Sequence, residues 1–167
     1  KTKKKVKLTN SKRANYPKFS PDGKSILFIA HENSTSQLYT MDINGRDIKQ
    51  VTSNEGDVQI VTPAWSPDGE SVAFAMSESD GNMDIHILEL LTGKTQQITN
   101  SPEIDASPIW HPKGDMISYT GYYDITPNLY TYDFSNSKTI QNTDLWDLQE
   151  GVDWNAQYST ITATTFN

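Results

Sequence analysis

The side chains of this sequence able to do acid–base or metal chemistry are three histidines and 21 acidic residues. There is no cysteine, which excludes thiolate metal sites and a disulfide framework. His31, His86 and His111 form no short ligand motif, so each is read as structural. Asp80-Gly81-Asn82-Met83-Asp84 resembles the first five positions of a calcium loop. Ile85, however, stands where the sixth position needs glycine, and Leu91 where the twelfth needs glutamate. The sequence contains neither a Gly-x-Ser-x-Gly nucleophile elbow nor a P-loop. Paired carboxylates are plentiful, but glycosidase chemistry depends on their separation in space, which a sequence does not give. No catalytic residue, metal ligand or cofactor is predicted.

Recognition is the chemistry that remains. Glu32, Asp57, Glu78, Asp80, Asp105, Asp124 and Asp147 lie with Tyr122, Tyr123 and Trp146 in polar stretches between apolar runs. Loops on a rigid scaffold concentrate binding residues, and exposed aromatics anchor interfaces. These ten residues form the predicted partner-binding face. The bland alternative is a set of solvated loops with an aromatic or two tucked between sheets.

The scaffold behind those loops is repetitive. Pro63-Ala64-Trp65-Ser66-Pro67-Asp68-Gly69 is echoed by Pro17-Lys18-Phe19-Ser20-Pro21-Asp22-Gly23 and by Pro108-Ile109-Trp110-His111-Pro112-Lys113-Gly114, with a worn copy at Val152-Asp153-Trp154-Asn155. The aromatic anchors Phe19, Trp65, Trp110 and Trp154 stand 46, 45 and 44 residues apart, a spacing that marks a repeat architecture. Ser-Pro-Asp-Gly predicts a three-residue hairpin loop, with glycine at positive φ and a G1 bulge. Apolar runs follow each turn at Ser25–Ala30, Ser71–Met76 and Asp115–Thr120, and the first two are apolar on both faces, as sandwiched strands should be. Third strands are read at Gln37–Asp42, Asp84–Glu89 and Asn128–Asp133. Fourth strands end in Val51-Thr52, Ile98-Thr99 and, as the weakest instance, Ile140-Gln141. Val6–Asn10 matches a fourth strand of an earlier unit.

Four antiparallel strands in about 45 residues is the sequence form of a β-propeller blade. With Leu-Tyr-x-Met-Asp at 38–42 and the closing apolar-Thr pairs, the motif resembles the blades of the TolB family. The resemblance implies an all-β propeller, part of a six-bladed ring, within an envelope protein that is periplasmic or extracellular and binds a protein partner without catalysis. The alternative is the substrate-gating propeller of a larger prolyl-oligopeptidase-like hydrolase. Six blades of this size would need roughly 270 residues. The 167 residues are therefore expected to be a piece of a longer protein, a partial propeller of about three and a half blades. The expected divisions are 1–10 (a last strand), blades at 14–54, 60–101 and 105–143, and two strands at 150–167.

Charge and hydropathy narrow the partners. Seven of the 14 basic residues lie in positions 1–13, and the remainder holds seven basic against 21 acidic residues. A domain that acidic repels polyanions, so nucleic acid is not an expected partner, and the basic head is read as a solvated strand edge. No apolar run is long enough to span a membrane as a helix. In a partial ring the end sheets should be incompletely covered, leaving Phe28, Ile29, Tyr132 and Phe134 exposed and inviting self-association.

Overall fold

The computed structural model describes residues 6–9, 13–77, 81–123, 126–144, 153–155 and 160–162. Each complete copy of the repeat is one antiparallel sheet of four strands paired in chain order. The first sheet comprises β1 (Ala14–Phe19), β2 (Ser25–Glu32), β3 (Thr35–Asp42) and β4 (Lys49–Gln50). The second comprises β5 (Gln59–Trp65), β6 (Ser71–Ser77), β7 (Met83–Glu89) and β8 (Thr95–Gln97). The third comprises β9 (Asp105–Trp110), β10 (Met116–Gly121), β11 (Asn128–Asp133) and β12 (Lys138–Gln141). A hairpin of β13 (Asp153–Asn155) and β14 (Thr160–Thr162) follows, and no helix occurs among the described residues. The protein is all-β, a partial propeller of four-stranded blades.

Register repeats with composition. Phe19 pairs with Ile26, Trp65 with Val72, Trp110 with Ile117 and Trp154 with Ile161, so each anchor faces the residue seven positions on. Side chains alternate across a strand, and the alternation assigns each one to a seam between blades. Leu27, Ile29 and Leu38 of the first sheet meet Ile60, Val72, Phe74, Met76 and Leu88 of the second. The other face of β6 offers only Ala73 and Ala75, which leaves room for Tyr119 and Tyr130 of the third sheet. Burying a ring such as Phe74 stabilises the seam by about 1.5–3 kcal/mol.

The motif turns hold the blades in register. Gly23, Gly69 and Gly114 have φ of 70°, 75° and 76°, as the turn chemistry requires. The connection is nevertheless four residues long, one more than expected. Ser20 N–H donates to the Ser25 carbonyl at 2.9 Å, while Ser25 N–H goes to Ser20 Oγ at 2.9 Å, so a hydroxyl replaces a ladder bond. The Ser20 hydroxyl donates in turn to Asp22 at 2.6 Å, and Ser66 and Asp68 repeat the arrangement. These hydroxyl donors, aided by the Lys24 and Glu70 amides, hold the Asp22 and Asp68 carboxyls below the usual carboxylate range. In the third blade three positions change together. His111 replaces the first serine, Met116 the second and Lys113 the aspartate, and the His111 ring meets the carboxylate of Asp115, which stands where the other blades have Lys24 and Glu70.

Several expectations are corrected. The stretch from His31 to Gln37 is mostly strand, closed by a two-residue turn in which Asn33 and Ser34 have φ of 48° and 70°. Both residues at positive φ make this a type I′ hairpin, whose twist suits the flanking strands. Val6–Thr9 forms no strand. Leu8 packs, without a strand ladder, beside Ile26, Phe28, Ala30, Tyr39 and Met41. Phe28 and Ile29 are consequently buried, Phe28 stacked on Tyr39 at 5.4 Å and Ile29 turned into the first seam. Tyr132 and Phe134 are half-buried, Phe134 lying 5.8 Å from Trp110. Trp65 and Trp110 are likewise half-buried, each reaching back one blade so that its indole N–H donates to Lys18 O (3.1 Å) or Ala64 O (3.2 Å).

Candidate functional site

The loop edge of the blades is organised by three threonines. Thr52 Oγ1 accepts the Leu38 amide, Thr99 Oγ1 the Ile85 amide and Thr143 Oγ1 the Leu129 amide, at 2.9, 2.9 and 2.8 Å. Each hydroxyl then donates to the residue before that amide: Gln37 (2.8 Å), Asp84 (3.1 Å) and Asn128 (2.9 Å). The third closing pair is therefore Asn142-Thr143 and not Ile140-Gln141. The signal is the separation of 14 residues from the third-strand amide, common to all three copies. These locks fix where each fourth strand ends and the link to the next blade begins.

The links lie against the turns between second and third strands. Ser36 N–H donates to Val58 O at 2.8 Å, Gln59 Nε2 to Ser34 O at 3.0 Å, and Tyr122 N–H to Ile104 O at 3.0 Å. The Thr35 hydroxyl also bonds Gly56 O. Glu32 and Asp57 are exposed on this edge, and Tyr122 is 41% exposed on the same edge one blade further round. Tyr123 is half-buried, its ring edge-on to Tyr130 at 4.5 Å and its hydroxyl 3.0 Å from that of Tyr119. Burial and the Tyr119 phenol beside it push the Tyr123 phenol above its ordinary value; burial does the same to Tyr119. Glu78, Asp80, Asp124, Trp146 and Asp147 lie outside the described residues, as does the start of the sequence that resembles a calcium loop.

Asp105 departs from its expected role. It opens β9 as the innermost strand of the third blade and is fully buried, so no partner reaches it in this conformation. Its Oδ1 has no hydrogen-bond partner among the described residues, and its Oδ2 is 3.5 Å from Ser101 Oγ. Burial raises its pKa to about 6; the Thr99 and Tyr123 hydroxyls act in the opposite sense, and the nearby charge of Asp84 adds to the rise. The residue was legible as acidic but not as buried, because a carboxylate between polar residues reads as a loop.

Two other features went unread. Tyr16, Thr62 and Ser107, each preceding a proline, have φ of 51°, 48° and 55° at a bulge of the innermost strand. Non-glycine residues seldom adopt this conformation. Ser107 N–H donates to Thr62 Oγ1 at 3.1 Å, tying the bulges of neighbouring blades together. His86 stacks on Phe74 with centroids 6.0 Å apart and has its Nδ1 3.2 Å from Asp84 O, and His111, which meets Asp115, is buried edge-on to Trp154 at 4.7 Å. Among the described residues no three metal-ligating side chains converge, and no helix is long and apolar enough to cross a membrane.

Comparison with known proteins agrees with this geometry. The family model described as TolB beta propeller domain matches residues 2–164. Tol-Pal system protein TolB from Francisella tularensis subsp. mediasiatica (strain FSC147) is 37% identical over 102 residues, which are 59% of this chain and 23% of that relative. The crystal structure of TolB from Acinetobacter baumannii superposes with a TM-score of 0.80 at 26% identity, covering 93% of this chain and 39% of that one. Puromycin hydrolase shares the fold at a TM-score of 0.66 and 20% identity, over 85% of this chain and 24% of its own. The chain thus spans about a quarter of the length of the curated TolB relatives it matches. It belongs to the TolB β-propeller family.

Proposed function

We infer that this propeller is a non-enzymatic interaction scaffold, which binds a protein partner through the edge that carries Glu32, Asp57, Tyr122 and Tyr123. The observation that carries the reading is Tyr122: a large aromatic side chain left 41% exposed while its amide is pinned to Ile104 O. A rigid backbone under an exposed ring is the arrangement of an interface anchor, because little conformational freedom is lost on docking. The relatives are named as proteins of the Tol-Pal system. That favours a partner within that system, such as a cell-wall-associated lipoprotein, and a periplasmic over an extracellular setting. Glu78, Asp80, Asp124, Trp146 and Asp147 belong to the same proposed face by their place in the repeat. The hydrolase alternative rests on fold alone.

Site-specific photo-crosslinking in cells tests the reading. A photoreactive residue at position 122 of the full-length protein should give one dominant protein adduct, whereas the same group at Asp22, on the motif-turn edge, should not. Adducts from position 22 equal to those from position 122 would overturn it.

A further inference from the structure

Two buried carboxyls, Asp84 and Asp105, meet at Ser101 in the link between the second and third blades, at positions where the other blades carry none. Asp84 occupies the place of Gln37 and Asn128, each of which accepts the hydroxyl of a closing threonine. Asp105 pairs with Gly121 across the innermost strands, where the other blades pair Ile60 with Met76 and Ala14 with Ala30. Around this link a neutral amide and an apolar side chain have thus been exchanged for two carboxyls, both buried.

The two carboxyls are not equally provided for. Asp84 Oδ1 accepts Thr99 Oγ1 (3.1 Å) and Ser101 N–H (3.2 Å), and its Oδ2 accepts Gln97 Nε2 (3.1 Å). Asp105 has an unpartnered Oδ1 among the described residues and the 3.5 Å approach of Ser101 Oγ at its Oδ2, and the nearby Thr99 and Tyr123 hydroxyls do not offset its burial. An ionised carboxylate so poorly supplied with donors in a buried place is disfavoured, whereas a neutral carboxyl is tolerated.

The surrounding structure connects this proton to the loop edge. Tyr123, beyond β10, packs on Tyr130 of β11 and touches the hydroxyl of Tyr119 on β10. Gly121 has no room for a side chain: a Cβ there would lie 2.8 Å from the Tyr130 ring and 3.1 Å from Asp105 Oδ1. The titratable groups facing Asp105 are therefore Asp84 from β7, Tyr119 from β10, Tyr130 from β11 and Tyr123 from the connection between the last two. Glu103, in the link, is exposed. The amide of Tyr122 is hydrogen-bonded to Ile104, the residue before Asp105.

We propose that the Asp84–Asp105 pair is a proton-operated clasp on the segment carrying Tyr122 and Tyr123, closed when Asp105 is protonated and loosened when the proton leaves. The sign follows from linkage. A carboxyl whose pKa is higher folded than unfolded contributes stability that is fully present below the unfolded value and is lost as pH rises through the folded one. The window runs from the ordinary aspartate value of 3.8 to about 6.

Amide hydrogen exchange in the full-length protein, corrected for the intrinsic pH dependence of exchange, reads the clasp at the Tyr122 amide. If opening exposes Asp105 to water, protection should fall about tenfold per pH unit across that window and level off above it. Asp105→Asn should abolish the dependence and leave Tyr122 protected at pH 7. Asp84→Asn, which removes the neighbouring charge, should move the midpoint to lower pH. A protection factor that does not vary with pH in the wild type, or a dependence that survives in Asp105→Asn, would overturn the proposal. Should the variants fail to fold, carboxyl-carbon NMR titration of the wild type decides: an Asp105 midpoint near 4 contradicts the clasp, and one near 6 sustains it.

Discussion

Each closing threonine satisfies a third-strand amide and is itself oriented by the side chain of the residue before that amide, so one hydroxyl joins a strand and a link. Thr99→Val keeps the shape but leaves the Ile85 amide and an Asp84 oxygen short of a partner in a buried place. Stability should fall by about 1–3 kcal/mol, checked by urea denaturation. At the motif turn, Gly69→Ala should cost on the order of 1 kcal/mol or more: φ is 75° and only Pro21 Cδ, 3.6 Å away, crowds a Cβ, so the penalty is conformational. An unchanged unfolding midpoint for either variant would contradict its argument. The turn aspartates respond to pH in the direction opposite to Asp105. Their lowered carboxyls contribute stability above the unfolded aspartate pKa that is lost as pH falls through the folded value. The destabilisation by Asp68→Asn should accordingly shrink on moving from pH 7 to pH 3, and a constant difference would contradict the shift. The glycines could be read from sequence because Pro-Asp-Gly has one sensible turn geometry. Thr143 could not be read from its neighbours, because Asn142 stands where Val51 and Ile98 stand and conceals the repeat. Asp105 could not either, since burial of a carboxyl depends on what packs over it.

Blades are joined by their innermost strands and by the residues that reach across the seams. Trp110 illustrates both: half-buried, it packs on Phe134 of its own blade and donates its indole N–H to Ala64 O of the blade before. Trp110→Ala should destabilise by about 2–3 kcal/mol, below the range for a fully buried ring, and Trp110→Phe by less. Equal losses for the two would show that ring packing contributes nothing beyond the lost N–H bond. That β2 and β6 are apolar on both faces was plain in the sequence, and with it the sandwiching of those strands. The Asn33-Ser34 turn was not. Polar residues at the ends of two long strands look like a loop until pairing shows Glu32 opposite Thr35. Coverage of Phe28 depended on Leu8 packing without a strand ladder, an arrangement with no local pattern to betray it.

The described residues form a segment of a ring, three four-stranded blades and a further hairpin, with packed seams between the first and second and between the second and third blades. The anchor of the first blade, Phe19, is 68% exposed, whereas Trp65 and Trp110 each rest on the blade before them. The periodicity of the anchors carried the architecture, since three copies in register admit few other folds; it carried no partner, because propellers present many different edges on one scaffold. Partner recognition is the central claim, and binding affinity tests it most directly. Calorimetric titration of the full-length protein with the cell-wall-associated lipoprotein of the Tol-Pal system from the same cell should show binding that weakens about tenfold or more in Tyr122→Ala, as expected for an interface anchor. The same titration of Asp22→Asn, on the opposite edge, should match the wild type within about twofold. No measurable binding by the wild type, or equal losses in the two variants, would contradict the account.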